Sequence, residues 1–263
     1  MAFRQSNILA HSVRFNSANS CDFLDAYHEI AASEIRKQAE KPSTKAIAPS
    51  SMYCPRVNWF RLRGVDPDAI DNPDERLDFT AQVGSAIHEV VQSRLSSTAS
   101  ADLVWLDVAD HISMLSAKYP ERNYACETSG FETKVSLTTP PVRFACDGLI
   151  TFKGKLYLLE IKSCEYSSFQ DLTEPKPSHY AQVRAYSALM EIADVLVLYI
   201  DRQYGDTKCF ELHFNEAAQS EVINEMYELV RLADACLAPS KLESGNGWCT
   251  PGMCRYYKKC KEW

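Results

Sequence analysis

The chain has 263 residues, of which 46% are hydrophobic and 24% are charged, enough for one substantial core. The formal net charge is −7, so the overall charge gives no sign of nucleic-acid binding. No apolar run approaches the roughly 20 residues of a membrane span, which excludes a spanning helix and a membrane partner. Ten cysteines without a secretory signal indicate a reducing compartment, so we expect a cytoplasmic protein.

Periodicity predicts a mixture of helices and strands along most of the chain. Residues 1–19 mix arginines with apolar residues and predict a flexible or docking arm. We predict helices over 20–40, 77–95, 178–193 and 216–237, an irregular or helical stretch over 102–118, and strands over 131–137, 142–151, 156–162, 195–200 and 209–214. No internal repeat or linker divides them, which predicts one α/β domain over 20–263 with helical elaboration at its start and finish.

Two of the predicted strands form a hairpin that gathers charge. If Lys153-Gly154 is its two-residue turn, counting outward places Asp147 directly opposite Glu160. Opposed residues share a sheet face, with Cβ atoms about 5 Å apart. Lys162, two residues beyond Glu160, points to that same face. The spacing therefore predicts two acids and a lysine on one side of a sheet.

Such a cluster has two interpretations. Like charges facing each other destabilise a sheet, and burial adds to the cost unless a counter-charge is present. A divalent cation supplies that charge, and oxygen ligands suit Mg²⁺ or Mn²⁺. The alternative is a solvent-exposed sheet edge carrying an ordinary Glu–Lys ion pair.

Three cysteines in the tail, Cys249, Cys254 and Cys260, lie within twelve residues on a loop that contains proline and glycine. The best candidate for a fourth ligand is Cys54, far upstream. Four thiolates suit a 4Fe–4S cluster or zinc, and a site without metal remains the third possibility. The remaining cysteines occur singly and are expected to pack in the core: Cys21, Cys126, Cys146, Cys164, Cys209 and Cys236.

The segments around these cysteines are basic and aromatic. Residues 51–64 and 248–263 each carry a net charge of +3, which leaves −13 on the rest of the chain. Seven aromatic residues are interleaved with the positive charges: Tyr53, Trp59, Phe60, Trp248, Tyr256, Tyr257 and Trp263. This pattern suits single-stranded nucleic acid, whose bases stack on aromatic rings. The alternative is that the rings pack around the metal.

Five motifs, in order, resemble the RecB-like branch of the PD-(D/E)xK nucleases, and within it iron–sulfur nucleases such as CRISPR-associated and phage exonucleases and the AddB nuclease domain. They are Ser51-Met-Tyr-Cys54-Pro-Arg56, Gly84-Ser-Ala-Ile-His88-Glu89, the pair Asp147-Gly148 with Glu160-Ile161-Lys162, His179-Tyr-Ala-Gln182-Val-Arg-Ala-Tyr186, and the three tail cysteines. The resemblance extends from about Ser50 to Cys260. It departs from the group between Cys249 and Cys254, where four residues intervene and the group often has two.

The resemblance implies a restriction-endonuclease-like core, a mixed central sheet flanked by helices, closed by a cluster that joins residue 54 to residues 249–260. It makes His88, Asp147, Glu160 and the Ile161 carbonyl ligands of Mg²⁺ or Mn²⁺, with Lys162 acting on the water or the phosphate. Gln182 and Tyr186 would border this site, although both also suit a structural helix face. Glu132 could support the metal or be a surface acid, and Arg184 could meet phosphate or solvent.

The function that the resemblance implies is a metal-dependent exonuclease on single-stranded DNA or DNA ends, with 5′→3′ polarity. It would serve recombination, repair or phage DNA metabolism in a bacterial or phage-infected cell, with a recombination or replication protein as a partner. A structure-selective endonuclease and a non-catalytic iron–sulfur adaptor that binds DNA are the alternatives. Intact Asp147, Glu160 and Lys162 argue against the adaptor, because an adaptor does not need them.

Overall fold

The computed structural model describes residues 22–40, 42–70, 73–98, 100–242, 249–251 and 253–263. The expected arm over residues 1–19 lies outside the described residues, as do Cys21 and Trp248. Helices span Asp22–Ala39 (α1), Pro55–Leu62 (α2), Glu75–Ser96 (α3), Val108–Lys118 (α4), Tyr166–Gln170 (α5), Pro177–Met190 (α6), Glu216–Asp234 (α7) and Tyr257–Glu262 (α8). Strands span Leu103–Leu106 (β1), Ala125–Ser129 (β2), Glu132–Thr138 (β3), Pro141–Cys146 (β4), Gly148–Phe152 (β5), Lys155–Cys164 (β6), Asp194–Asp201 (β7) and Thr207–His213 (β8).

A five-stranded sheet in the order β1-β5-β6-β7-β8 forms the centre of the fold. β6 pairs antiparallel with β5 and parallel with β7, and α5 and α6 supply the crossover that a parallel pair requires. Ile161 on one face of β6 shares an apolar cluster with Ile87 of α3. Leu158 on the opposite face shares another with Leu189 of α6. The prediction of a mixed sheet flanked by helices is therefore confirmed.

The predicted hairpin is present in the predicted register. Phe152 pairs with Lys155, and Gly148 pairs with Leu159 at the far end of the ladder. Lys153 and Gly154 have φ angles of 49° and 76°. Positive φ at both turn residues matches the right-handed twist of the two strands, which fixes the pairing. The count that placed Asp147 opposite Glu160 is thereby confirmed up to the residue next to Asp147.

The single strand predicted over 142–151 is instead two strands in two sheets. β4 belongs to a separate antiparallel sheet in the order β2-β3-β4, and β5 belongs to the central sheet. Asp147 is the residue between them. Because the chain changes sheets there, the Asp147 side chain is free from the strict alternation of a strand. Gly148 follows because the Trp105 ring of β1 lies where a side chain would be.

Other differences have local causes. The stretch 102–118 resolves into β1 and α4, and β2 was not predicted because all five of its residues are exposed and no alternation marks it. α1 lies where a helix was predicted, yet its Phe23, Tyr27 and Ile30 are exposed. Within the described ranges, no helix combines the length and the apolar character needed to cross a membrane.

The contact between Gly148 and Trp105 gives a stability test. A Cβ added at Gly148 would come within 2.3 Å of the Trp105 ring, so Gly148→Ala must displace β1 or strain β5. We expect a loss of about 1–3 kcal/mol in the free energy of unfolding, measured by urea denaturation. Adding Trp105→Val should restore part of it, because the ring that clashes is gone. A Gly148→Ala protein as stable as the parent would contradict this packing.

Candidate active site

Asp147 is fixed from two sides. Its Oδ2 accepts a hydrogen bond from the Ile161 N–H of β6 at 2.7 Å, and its Oδ1 lies 3.2 Å from Nδ1 of His88 on α3. Gln92, one helical turn after His88, donates to the Asp147 carbonyl at 2.7 Å. Sequence reasoning missed Gln92, and its signal was the i,i+4 spacing from His88. Helix α3 thus orients both the side chain and the backbone of Asp147.

Glu160 is a buried carboxylate with an incomplete set of partners. It is 2% exposed, and its Oε1 lies 2.5 Å from the Lys162 ammonium. Its Oε2 is buried, and no donor among the described residues reaches it. Burial raises the pKa of Glu160, the charge of Asp147 raises it further, and Lys162 opposes both. The predicted cluster of two acids and a lysine therefore lies in the protein interior rather than at an exposed edge.

A chain of hydrogen bonds joins Lys162 to helix α6. The ammonium donates to Gln182 Oε1 at 3.0 Å, and Gln182 Nε2 donates to the Tyr186 hydroxyl at 2.8 Å. Tyr186 in turn donates to the Ala145 carbonyl at 2.7 Å, at the end of β4. Burial raises the pKa of Tyr186 well above its usual value, and the charge of Glu160 adds to this rise. Tyr186 is therefore a neutral hydroxyl that donates to Ala145 and accepts from Gln182, which fixes Gln182, and Gln182 in turn fixes Lys162.

The structure brings the predicted catalytic side chains together from both faces of the sheet: His88 from α3, Asp147 between the sheets, Glu160, Ile161 and Lys162 from β6, and Gln182 and Tyr186 from α6. Two carboxylates and an imidazole form a donor set that suits Mn²⁺ or Mg²⁺. Among the described residues, no three His, Cys, Asp or Glu side chains are already positioned so that they could hold a metal ion together.

Two further sequence candidates lie outside this group. Glu132 is exposed at the start of β3, 3.7 Å from Lys134, so its alternative as a surface acid is correct. Arg184 is held by two acids of the neighbouring helix. Its guanidinium binds Glu221 at 2.6 Å and Glu225 at 3.1 Å, because α7 packs against α6 there.

The four candidate cluster cysteines meet at a second location. Cys54, Cys249, Cys254 and Cys260 all line one cavity of about 350 Å³. Burial raises the pKa of Cys54 and that of Cys254, and the neighbouring cysteines add to both rises. Arg56 donates to the Cys260 carbonyl at 3.2 Å and lies 3.4 Å from the Cys260 sulfur.

The expectation that the remaining cysteines pack in the core is correct for two of the five that the structure describes. Cys146 and Cys164 are buried, but Cys126, Cys209 and Cys236 are exposed. Cys126 and Cys209 lie on edge strands, where one face is open to solvent. Cys236 follows α7 with a φ of 58° and accepts a hydrogen bond from Arg63 at 2.8 Å.

The basic and aromatic segments are used mainly for packing. Trp59, Phe60 and Tyr256 are at most 1% exposed and form one cluster with Ala233 of α7. The arginines of the first segment donate to protein groups: Arg56 to Pro239, Arg61 to Ala46, and Arg63 to Ala233. Trp263 is 61% exposed at the edge of this cluster, and Tyr53 and Tyr257 are half-buried. The interpretation as a stacking surface for nucleic acid is therefore wrong for the buried rings, which hold the tail against α2 and α7.

In sequence, this chain matches no family model and no curated protein. In structure, it is similar to SSO0001, at 13% identity and a TM-score of 0.45, over 84% of this chain and 100% of that one. It is also similar to an alkaline exonuclease, LHK-Exo, from Laribacter hongkongensis, at 14% identity and a TM-score of 0.39, over 79% and 93% of the two chains. The structure of LHK-Exo in complex with dAMP is similar at 15% identity and a TM-score of 0.38, over 77% of this chain and 93% of that one. Similarities this low show nothing about function, so the functional proposal below rests on the geometry of the site.

His179, at the start of α6, gives a pH prediction. Its Nδ1 lies 2.7 Å from the Tyr199 hydroxyl, which already accepts from the Lys176 N–H and so has its proton free for a neutral ring. Burial, with the charges of Lys162 and Lys176, lowers the pKa of His179 to about 3 from an ordinary 6.5. Below about pH 6.5, His179 therefore binds a proton in the unfolded chain but stays neutral in the folded chain.

Stability from this group is complete above the unfolded pKa and is lost as the pH falls from about 6.5 towards 3. We expect the parent protein to lose unfolding free energy more steeply than His179→Gln over this range, measured by urea denaturation at stepped pH. The control is His28→Gln, which alters a half-exposed histidine on α1. Parallel curves for the parent and His179→Gln would refute a neutral, buried His179.

Proposed function

We propose that this chain is a metal-dependent deoxyribonuclease that hydrolyses phosphodiester bonds, acting as an exonuclease on single-stranded DNA with 5′→3′ polarity. The observation that carries the proposal is the convergence of Asp147, Glu160 and Lys162 in the interior. A buried pair of carboxylates is costly to keep without a further positive charge. Such a pair has a clear use if a cation and a phosphate bind beside it.

The donors at the site fit a divalent cation. The unpartnered Glu160 Oε2 needs a positive neighbour, and Asp147 and His88 stand next to each other on the adjoining side. These three groups, with the Ile161 carbonyl that the resemblance adds, would hold Mg²⁺ or Mn²⁺. A bound cation would lower the pKa of a water molecule and neutralise phosphate oxygens. A cation held by both oxygens of Glu160 would displace the Lys162 ammonium from Oε1.

Lys162 is the residue of this chain best placed to act on the reacting phosphate. Its side chain is 17% exposed, so it reaches the surface from the buried site. Released from Glu160, it would orient the attacking water or donate to the charge that grows on the phosphate. Gln182 limits where the ammonium can go, and Tyr186 limits Gln182. Both are positioning residues that act through Lys162.

Substitution of the core tests this proposal. Asp147→Asn and Lys162→Ala should each abolish Mg²⁺- or Mn²⁺-dependent cleavage of labelled single strands in protein that still folds. Lys162→Ala should also lower the melting temperature, because Glu160 loses its counter-charge. Glu132→Gln, an exposed acid on β3, is the matched control and should cleave like the parent. Linear and circular strands are compared, because only an endonuclease cuts the circle. Retained cleavage in both core variants would reject the site, and a parent protein that binds DNA without cleaving it would favour the adaptor.

We also propose that the four cysteines bind a metal cofactor, a 4Fe–4S cluster in preference to zinc. The support is that four thiols from distant segments line one cavity, and the motif resemblance favours a cluster over zinc. The Arg56 guanidinium beside the Cys260 sulfur would balance thiolate charge. The cofactor would fasten the tail to α2, next to the apolar cluster of Trp59, Phe60 and Tyr256.

Cys54→Ser should lose the cofactor and lower the melting temperature, because the site joins segments that are far apart in sequence. Anaerobically purified protein is assayed for iron, sulfide, zinc and visible absorbance. Cys126→Ser, an exposed cysteine on β2, is the control and should keep both cofactor and stability. Stoichiometric zinc in colourless protein would exclude the cluster, and metal-free protein that keeps its stability would exclude the site.

A further inference from the structure

A pair of exposed tyrosines lies where the catalytic strand ends. Tyr166 lies two residues after the end of β6 and is 39% exposed, and Tyr204, in the turn after β7, is 65% exposed. Their ring centroids are 4.9 Å apart, with the planes at 82°. Because the rings are edge to face, each leaves apolar surface open to solvent. The mechanism above uses neither residue.

The backbone holds both rings in place. Asp201, 1% exposed, accepts from the N–H groups of Gln203 and Tyr204 at 3.1 and 2.8 Å, which fixes the turn that carries Tyr204. Lys208 donates to the carbonyls of Phe169, Gln170 and Leu172, which closes the end of α5 and so fixes the short helix that begins at Tyr166. Rings on rigid supports lose little freedom when a flat ligand stacks on them.

Positive charge connects this pair with the catalytic lysine. The ammonium groups of Lys162 and Lys176 both act on His179, and the charges of Lys176 and Arg202 both act on Cys164. The backbone places these groups together: the Arg202 N–H donates to the Cys164 carbonyl at 3.0 Å, and the Lys176 N–H donates at 3.0 Å to the hydroxyl of Tyr199, which pairs with Lys162 across β6 and β7. Arg202 lies 3.8 Å from Glu165, whose side chain is largely exposed, and it follows Asp201, whose carboxylate is bound by the N–H groups of Gln203 and Tyr204. Lys162, Lys176 and Arg202 therefore bring three positive charges near one end of β6 and β7 in a chain of net charge −7, a local feature that favours a polyanion.

The location also fits a ligand. β6 and β7 are the parallel pair of the sheet, and in open α/β sheets ligands bind outside the carboxyl ends of such strands. Lys162 and Tyr166 are four residues apart, so their Cα atoms are at most about 14 Å apart. If one phosphate of a DNA strand lies at Lys162, a base only a few nucleotides further along that strand can therefore reach the tyrosines.

We infer that Tyr166 and Tyr204 form a stacking platform for a base of single-stranded DNA, and that Lys176 and Arg202 bind the phosphates between this base and the scissile bond. The inference rests on the proposed function and adds the place where the strand is held. It assigns stacking to exposed rings at the end of the sheet, in contrast to the buried rings near the cysteines.

The test measures binding without cleavage, with EDTA present, by fluorescence anisotropy of labelled oligothymidylate and of an abasic strand of equal length. Tyr166→Ala with Tyr204→Ala should weaken binding of oligothymidylate about tenfold or more and leave the abasic strand almost unaffected, because only bases stack. Tyr166→Phe with Tyr204→Phe keeps both aromatic rings and should bind like the parent. Lys176→Ala and Arg202→Ala should weaken both strands and reduce the salt dependence.

The control is Tyr227→Ala, which removes an exposed tyrosine of α7 and should change neither affinity. Unchanged binding by the double alanine variant, equal loss on both strands, or equal loss in Tyr227→Ala would each overturn the platform. These results do not depend on cleavage. If the parent protein shows the expected binding pattern but does not cleave DNA, the stacking platform is supported and the nuclease proposal is rejected. If it cleaves DNA and the tyrosine substitutions have no effect on binding, only the platform is rejected.

Discussion

The burial of Glu160 opposite Asp147 is the constraint on which the rest of the site depends. β6 is paired on both edges and covered on both faces, so Glu160 cannot turn towards water without breaking the sheet. A buried ion costs several kcal/mol, a large part of the 5–15 kcal/mol that keeps a typical domain folded. Lys162 offsets part of this cost at one carboxylate oxygen, and the other oxygen remains for a ligand.

The surrounding fold explains how this arrangement is kept rigid. Helix α3 reaches Asp147 from one face of the sheet, and α6 reaches Lys162 from the other. The segment before Cys54 packs against β4 and α2: Ile47 bridges to Val142 of β4, and Asn58 of α2 binds both backbone polar groups of Ala48. The 3₁₀ turn at Pro49–Ser51 also packs against α6. The segment that leads to Cys54 therefore contacts the helix that positions Lys162.

Sequence reasoning succeeded where local rules determine the structure. The turn at Lys153-Gly154 fixed the pairing of β5 and β6 as far as Gly148 and Leu159, the residues next to Asp147 and Glu160. It failed where tertiary contacts decide. No local pattern marks the change of sheets at Asp147, which depends on how two sheets meet. Nor could spacing tell that Arg184 would be bound by acids of α7, which lie 37 and 41 residues further along the chain.

The same distinction applies to charge. Counting charges by segment assigned the basic surface to the two cysteine-containing stretches, but the arginines of the first stretch spend their donors on backbone carbonyls of the protein. An arginine bound in this way has few N–H groups left to offer a phosphate. Lys176 and Arg202, by contrast, stand in the sequence among Glu174, Asp201 and Asp206, so no basic segment marks them. Only folding brings them to one end of the sheet, and contact with a polyanion depends on where charges meet in space rather than on their sum.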